Sequence, residues 1–131
     1  MSRTDVIRLV YERFNEKDFE GVLTYCHEDV EHADLLVEGV IVSGKEAILR
    51  LWTERFAESS ASALPADMFE QGETVVAPVC YQVYDPSGSI SGSPMIVVHR
   101  FTFRGDRISR IEATVLDDLP EDTKALLLHP S

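Results

Sequence analysis

Residues 94–117, "PMIVVHRFTFRGDRISRIEATVLD", constrain the fold more than any other stretch. Branched and aromatic residues are dense through 94–104 and recur through 107–117, alternating with polar ones at 100–104 and 110–115, and only Arg104-Gly105-Asp106 interrupts them. Side chains of a strand point to its two faces in turn, so a period of two reads as half-buried strand. A short glycine-containing link between two such runs reads as an antiparallel hairpin. The alternation also assigns faces. Met95, Val97, His99, Phe101 and Phe103 share one face, an aromatic and apolar set with one histidine that suits the lining of a pocket. Ile96, Val98, Arg100, Thr102 and Arg104 share the other, a mixed set that suits an interface or solvent. On the following strand Ile111, Ala113 and Val115 line the interior, with Asp117 at the strand's end.

The first half of the chain has a different period. In "DVIRLVYERFNE", residues 5–16, Val6, Leu9, Val10, Arg13 and Phe14 recur at helical spacing, with Ser2 or Thr4 as cap. Residues 18–26 read as a short second helix capped by Asp18, with Phe19, Val22, Leu23 and Cys26 on one face. Asp29-Val30 begins an extended run, and residues 35–42 read as a short hairpin or two strand pieces bent at Gly39. In "SGKEAILRLWTERFAES", Ser43 and Glu46 fit a capping box, and Ala47, Ile48, Leu51, Trp52, Arg55 and Phe56 share one side. Strands are expected at 66–71, 74–84, 94–104 and 107–117, and a short C-terminal helix after Pro120 holding Leu126, Leu127 and Leu128. Helices followed by a meander of strands give an α+β class, with helices on one face of a mostly antiparallel sheet.

Composition narrows the function. The 131 residues point to a single domain, 1–131, long enough for a real core. The net charge of −11 repels phosphate backbones and anionic bilayers, so neither nucleic acid nor membrane is an expected partner. Residues 1–20 hold no apolar signal segment, and no apolar run reaches the roughly 18 residues of a membrane span. A cytoplasmic location is therefore expected, with Cys26 and Cys80 reduced and acting as small core residues.

Three stretches carry a resemblance: "RFNEKDFEGVLTYCHEDVEH", "GKEAILRLWTERF" and "VVHRFTFRGDRISRIEA". In this order they resemble the nuclear transport factor 2-like superfamily, in its SnoaL-like and ketosteroid-isomerase-like branch, over nearly the whole chain. The resemblance implies a cone: a strongly curved sheet wrapped around N-terminal helices, the cystatin-like roll, with a deep pocket for a small apolar ligand. It also implies a homodimer packed sheet against sheet.

The ketosteroid isomerases use an Asp base and an oxyanion hole made of a Tyr and a protonated Asp. By position the base falls on His32, the protonated Asp on His99 and the Tyr on Val10, so none is kept in kind. Tyr11 is one residue out of register, about 100° round the helix, and is expected to be a poor substitute. The expectation is then a His32 base, His99 as hydrogen-bond donor to a developing oxyanion, and Asp34 orienting His32 or sharing its proton load. Tyr11, Phe14, Trp52, Phe56, Val97, Phe101, Ala113, Val115 and Asp117 are expected to line the ligand site.

The densest polar patch, "HEDVEHAD" at 27–34, holds two histidines and four carboxylates. Most of it reads as a charged helix-to-strand junction. His27 belongs at a helix C-terminus, where a cation suits the dipole, and Glu31 faces away from His32. No metal-ligand spacing, phosphate loop or nucleophile elbow is present, so neither metal nor cofactor is expected. The reading is a small-molecule-binding protein, with cofactor-free isomerisation, cyclisation, hydrolysis or dehydration as its chemistry if it is an enzyme. The alternatives are a non-catalytic binding or dimerisation module and a partner-binding scaffold.

Overall fold

The computed structural model describes residues 2–33 and 41–115. Their elements run α1 (Arg3–Asn15), α2 (Phe19–Leu23), β1 (Cys26–Ala33), β2 (Ile41–Ser43), α3 (Lys45–Arg55), β3 (Ser60–Pro65), β4 (Phe69–Gln71), β5 (Thr74–Tyr84), β6 (Ile90–Arg104) and β7 (Arg107–Val115). The strands form one curved seven-stranded sheet in the order β2-β1-β7-β6-β5-β3, with β4 paired to β5. All pairs are antiparallel except β1 with β7. This is the α+β architecture expected from the order of periods. Asp34, Asp117, most of the proposed 35–42 hairpin and the C-terminal helix lie outside the described residues.

Helix α1 starts where the sequence provides a cap. The Ser2 hydroxyl accepts from the Asp5 amide, and the Asp5 carboxylate accepts from the Ser2 amide, which completes a capping box. The buried face is Val6, Ile7, Val10 and Tyr11. This corrects the expected face by one residue, because Arg13 is exposed and Leu9 only half-buried. Positions i, i+1, i+4 and i+5 make a broad apolar stripe whose centre falls between Val10 and Tyr11. A helix held inside a curved sheet buries such a stripe entirely.

The junction "NEKD" ties three elements together. The Asn15 side chain accepts from the Ala63 amide at 2.8 Å and donates to its carbonyl at 3.1 Å, which fixes edge strand β3 to α1. Lys17, at φ 60°, sends its ammonium to the carbonyls of Phe56 and Ser59, at 2.7 and 2.9 Å. Asp18 caps α2 through the Gly21 amide.

Several boundaries differ from the sequence reading. Helix α2 ends at Leu23, and Cys26 already opens β1. His27 is thus a strand residue; its Nε2 lies 2.7 Å from the Arg104 carbonyl. Ser43 is not a helix cap, because it pairs with Glu31 in the β1–β2 ladder and Gly44 occupies the N-cap without a side-chain bond. Strand β3 was hidden in "SASALP", whose small residues carry little strand signal. The expected 66–71 strand shrinks to β4. Cys26 is buried as expected, but Cys80 is exposed on the outer face of β5.

Candidate functional site

The strand registers place the two histidines. His32 on β1 stands beside Ile111 on β7, which faces Phe101 on β6. Two residues along β6, His99 faces Ala113 on β7 and Ala77 on β5. His32 and His99 therefore share the inner face. Two strand spacings of roughly 4.8 Å and two residues of roughly 3.4 Å put their Cα atoms about 12 Å apart before the sheet bends. His32 is within electrostatic reach of His99, whose protonation it disfavours.

Both rings line one cavity of about 380 Å³. Helix α1 contributes Val10, Tyr11 and Phe14, and α3 with its C-terminal extension contributes Trp52, Arg55, Phe56 and Ser59. Tyr81 and Val83 come from β5, Met95, Val97 and Phe101 from β6, and Ile111, Ala113 and Val115 from β7. Every described residue expected to line a ligand site is on this wall. Arg55, Ser59 and Tyr81 are polar members that the strand alternation did not single out. Arg55 was legible as part of the α3 face, but its position on that face was read only as packing.

The aromatic contacts give the wall its shape. Trp52 stands edge-on to His32, ring centres 5.6 Å apart at 73°. Tyr11 meets Phe101 at 5.8 Å and 85°, and His99 meets Phe101 at 5.6 Å. Such edge-to-face pairs hold rings in fixed orientations.

Tyr11 corrects the expectation drawn from helix geometry. Its hydroxyl lies 2.7 Å from His99 Nδ1. The curved sheet wraps far enough around α1 that Val10 and Tyr11 both face inward, each 4% exposed. A side chain longer than valine is needed to reach β6, and Tyr11 supplies it.

Burial sets the protonation states. Desolvation pushes the Tyr11 phenol well above 10. Desolvation first, and repulsion by His32 second, bring His99 from 6.5 down to about 4. Near neutral pH both members of the pair are uncharged. When the Tyr11 hydroxyl donates to Nδ1, His99 carries its single proton on Nε2. Neutral imidazole is then a hydrogen-bond donor, a role known for histidine opposite reacting carbonyls.

Other chemistry is thin. Burial pushes the Cys26 thiol up to about 12, which removes its thiolate at physiological pH. Among the described residues no group of three or more His, Cys, Asp or Glu side chains stands close enough to hold a metal ion. No helix among them is long and apolar enough to cross a membrane.

Solved structures share this architecture. A candidate SnoaL-like polyketide cyclase from Shewanella denitrificans superposes with a TM-score of 0.74 at 16% identity, covering 86% of this chain and 89% of that one. A candidate polyketide cyclase from Xanthomonas campestris gives 0.71 at 19% identity, covering 86% and 88%. TerC co-crystallised with polyporic acid gives 0.71 at 24% identity, covering 85% and 88%. At these identities the likeness establishes the fold, the cystatin-like and nuclear transport factor 2-like roll. No curated protein matches the chain. The profile of the SnoaL-like domain matches residues 7–111, from the buried face of α1 to the Ile111 position beside His32, and by that match the chain belongs to the SnoaL-like domain family.

Proposed function

We propose that this protein binds a small, mainly apolar organic molecule in its cavity and moves a proton on it without a cofactor. The observation that carries the reading is two histidines lining one apolar cavity, one of them held neutral against the Tyr11 hydroxyl. His32 is the general base. His99, with Nδ1 engaged by Tyr11, offers Nε2–H to the oxygen that becomes negative when a neighbouring carbon loses its proton. The desolvated wall strengthens that hydrogen bond. Isomerisation, aldol-type cyclisation and dehydration all need these two functions and little else. TerC, a structural neighbour, was co-crystallised with polyporic acid, which supports a ligand-binding role.

The test uses 2-tetralone, an apolar enolisable ketone. The expected result is faster exchange of its α-hydrogens in D2O, followed by NMR. His32→Gln should slow exchange by roughly 100-fold or more, the usual scale for a positioned base. Tyr11→Phe should slow it less, by freeing the His99 tautomer. Binding without exchange would favour the second reading, a ligand-binding module.

We also propose a homodimer on the outer face. Leu64, Cys80 and Ile96 stand opposite one another across β3, β5 and β6. All three are exposed, Leu64 at 61% and Ile96 at 43%. Arg100 and Glu112 stand opposite each other nearby on the same face. A second copy related by a two-fold axis meets this mixture with its own apolar row and both signs of charge.

A further inference from the structure

The cavity has a second polar pole, away from the histidines. Arg55 lies in the last turn of α3, and Ser59 follows four residues later with its hydroxyl on the Arg55 carbonyl at 3.4 Å. Tyr81 reaches the same wall from β5. Arg55 and Tyr81 are neighbours electrostatically: burial raises the Tyr81 phenol and the Arg55 charge opposes that rise. Between the poles the wall is apolar, with Phe14, Phe56, Met95, Val97 and Val115.

The distance between the poles follows from the ladder. Ala77 on β5 faces His99, and Tyr81 is four residues further along the same strand. At about 3.4 Å per residue that is roughly 13 Å, less where the strand bends. Arg55 is the sole cationic residue on this wall among the described residues, since His99 is neutral near pH 7 and His32 is assigned the role of base. The whole chain is strongly acidic at −11, so its long-range field does not favour an anion. A guanidinium on the cavity wall does so locally, because its N–H groups match the two oxygens of a carboxylate.

Resting on the proposed ligand-binding role, we infer that the cavity takes an elongated organic acid, with its carboxylate held by Arg55 and Tyr81 and its apolar body directed toward His32 and His99. The reacting carbon then lies on the order of 10 Å from the carboxylate, a spacing of about four fused six-membered rings or an extended chain of about eight carbons. Small acids that cannot span the cavity engage one pole only. Neutral molecules of the same shape engage the apolar wall without the head-group contact.

The test compares 1-adamantaneacetate with 1-adamantaneethanol, which share a body and differ in charge. Trp52 is the single tryptophan of the chain and lies on the cavity wall, so its fluorescence reports occupancy. The acetate is expected to bind roughly ten-fold or more tightly than the alcohol, the scale of one charge-assisted hydrogen-bonded contact. Arg55→Met should remove that preference and leave alcohol binding within about two-fold. Arg55→Lys should keep part of it, and its melting temperature checks that the fold is intact. Equal binding of the two probes in the parent protein overturns the inference and leaves the ligand-binding role standing. Binding of neither probe overturns both. A preference that survives in Arg55→Met places the anion elsewhere and also overturns it.

Discussion

The two faces of the β1–β7–β6 sheet share the same backbone and differ in everything chemical. On the inner face His32, Ile111, Phe101, Ala113 and His99 border an apolar cavity. On the outer face Glu31, Arg110 and Glu112 form a chain of ion pairs, Arg110 to Glu31 at 3.2 Å and to Glu112 at 2.8 Å. The two histidines of β1 show the same contrast. His27 is half-buried on the rim and rests on the Arg104 carbonyl, while His32 is 7% exposed against Trp52. A polar group inside has few partners and its protonation is dictated by its surroundings. A polar group outside has water as an alternative, so removing its partner costs little. Chemistry of the acid–base kind belongs to the first environment.

The largest expected effect tests packing. Phe101 is 3% exposed and holds the rings of Tyr11 and His99. Phe101→Ala should lower stability by about 3–5 kcal/mol, the cost of a large core truncation. Arg100→Ala, one residue away and exposed, should change it by no more than about 0.5 kcal/mol. Urea denaturation measures both. Comparable losses at the two positions would break the contrast between faces.

The next effect is pH dependence, with separate windows on the two sides, both losing stability as pH falls. His99 has a folded value near 4, below its ordinary 6.5. As pH falls below about 6.5 the unfolded chain takes up a proton that the folded chain refuses, so stability drops until about pH 4 and then levels. The whole step is on the order of 3 kcal/mol. His99→Gln should flatten it in urea denaturation from pH 7 to 4. Outside, Asp29 is held below 3.8, chiefly by its hydrogen bond to Arg104 at 2.9 Å. Its contribution is present above its unfolded value and is lost only as pH falls below that. A pH step that persists in His99→Gln would assign it to another group.

The alternation that separates these faces was visible in residues 94–115, so the inner position of His99, Phe101, Ile111 and Ala113 followed from sequence. His32 and the outward Glu31 followed from the same rule on β1. What failed was the helix side of the site. Tyr11 was judged against a residue-by-residue match to a known family, which put Val10 in its place. The stripe of Val6, Ile7, Val10 and Tyr11 carries the correct answer, but its width matters only once the sheet is known to wrap around it. Strand β3 was lost because "SASALP" has neither branched nor aromatic strand formers apart from one leucine. Its place is set by Asn15, forty-eight residues earlier in sequence, a pairing that no local pattern encodes. The rim residues Arg55 and Tyr81 lie on different elements, and their convergence is likewise a tertiary property.

The smallest expected effect is the most informative about the outer face. In a single copy Arg110 and Glu31 have side chains 38% and 44% exposed, and pairs in that setting couple by about 0.2–1 kcal/mol. A double-mutant cycle with Arg110→Met and Glu31→Gln, measured by urea denaturation, isolates the term. At protein concentrations where sedimentation shows one copy, the coupling should stay below about 1 kcal/mol. Where the proposed dimer extends along the outer face from the Leu64–Cys80–Ile96 row to this pair, which faces Thr102 six residues further along β6, water withdraws from the pair. The coupling should then rise, because charges at a drier interface are screened less. A coupling that stays constant while the chain dimerises would place the dimer contact on another surface. The apolar row would then need a different explanation, and the contrast between the two faces would hold in the dimer as it does in one copy.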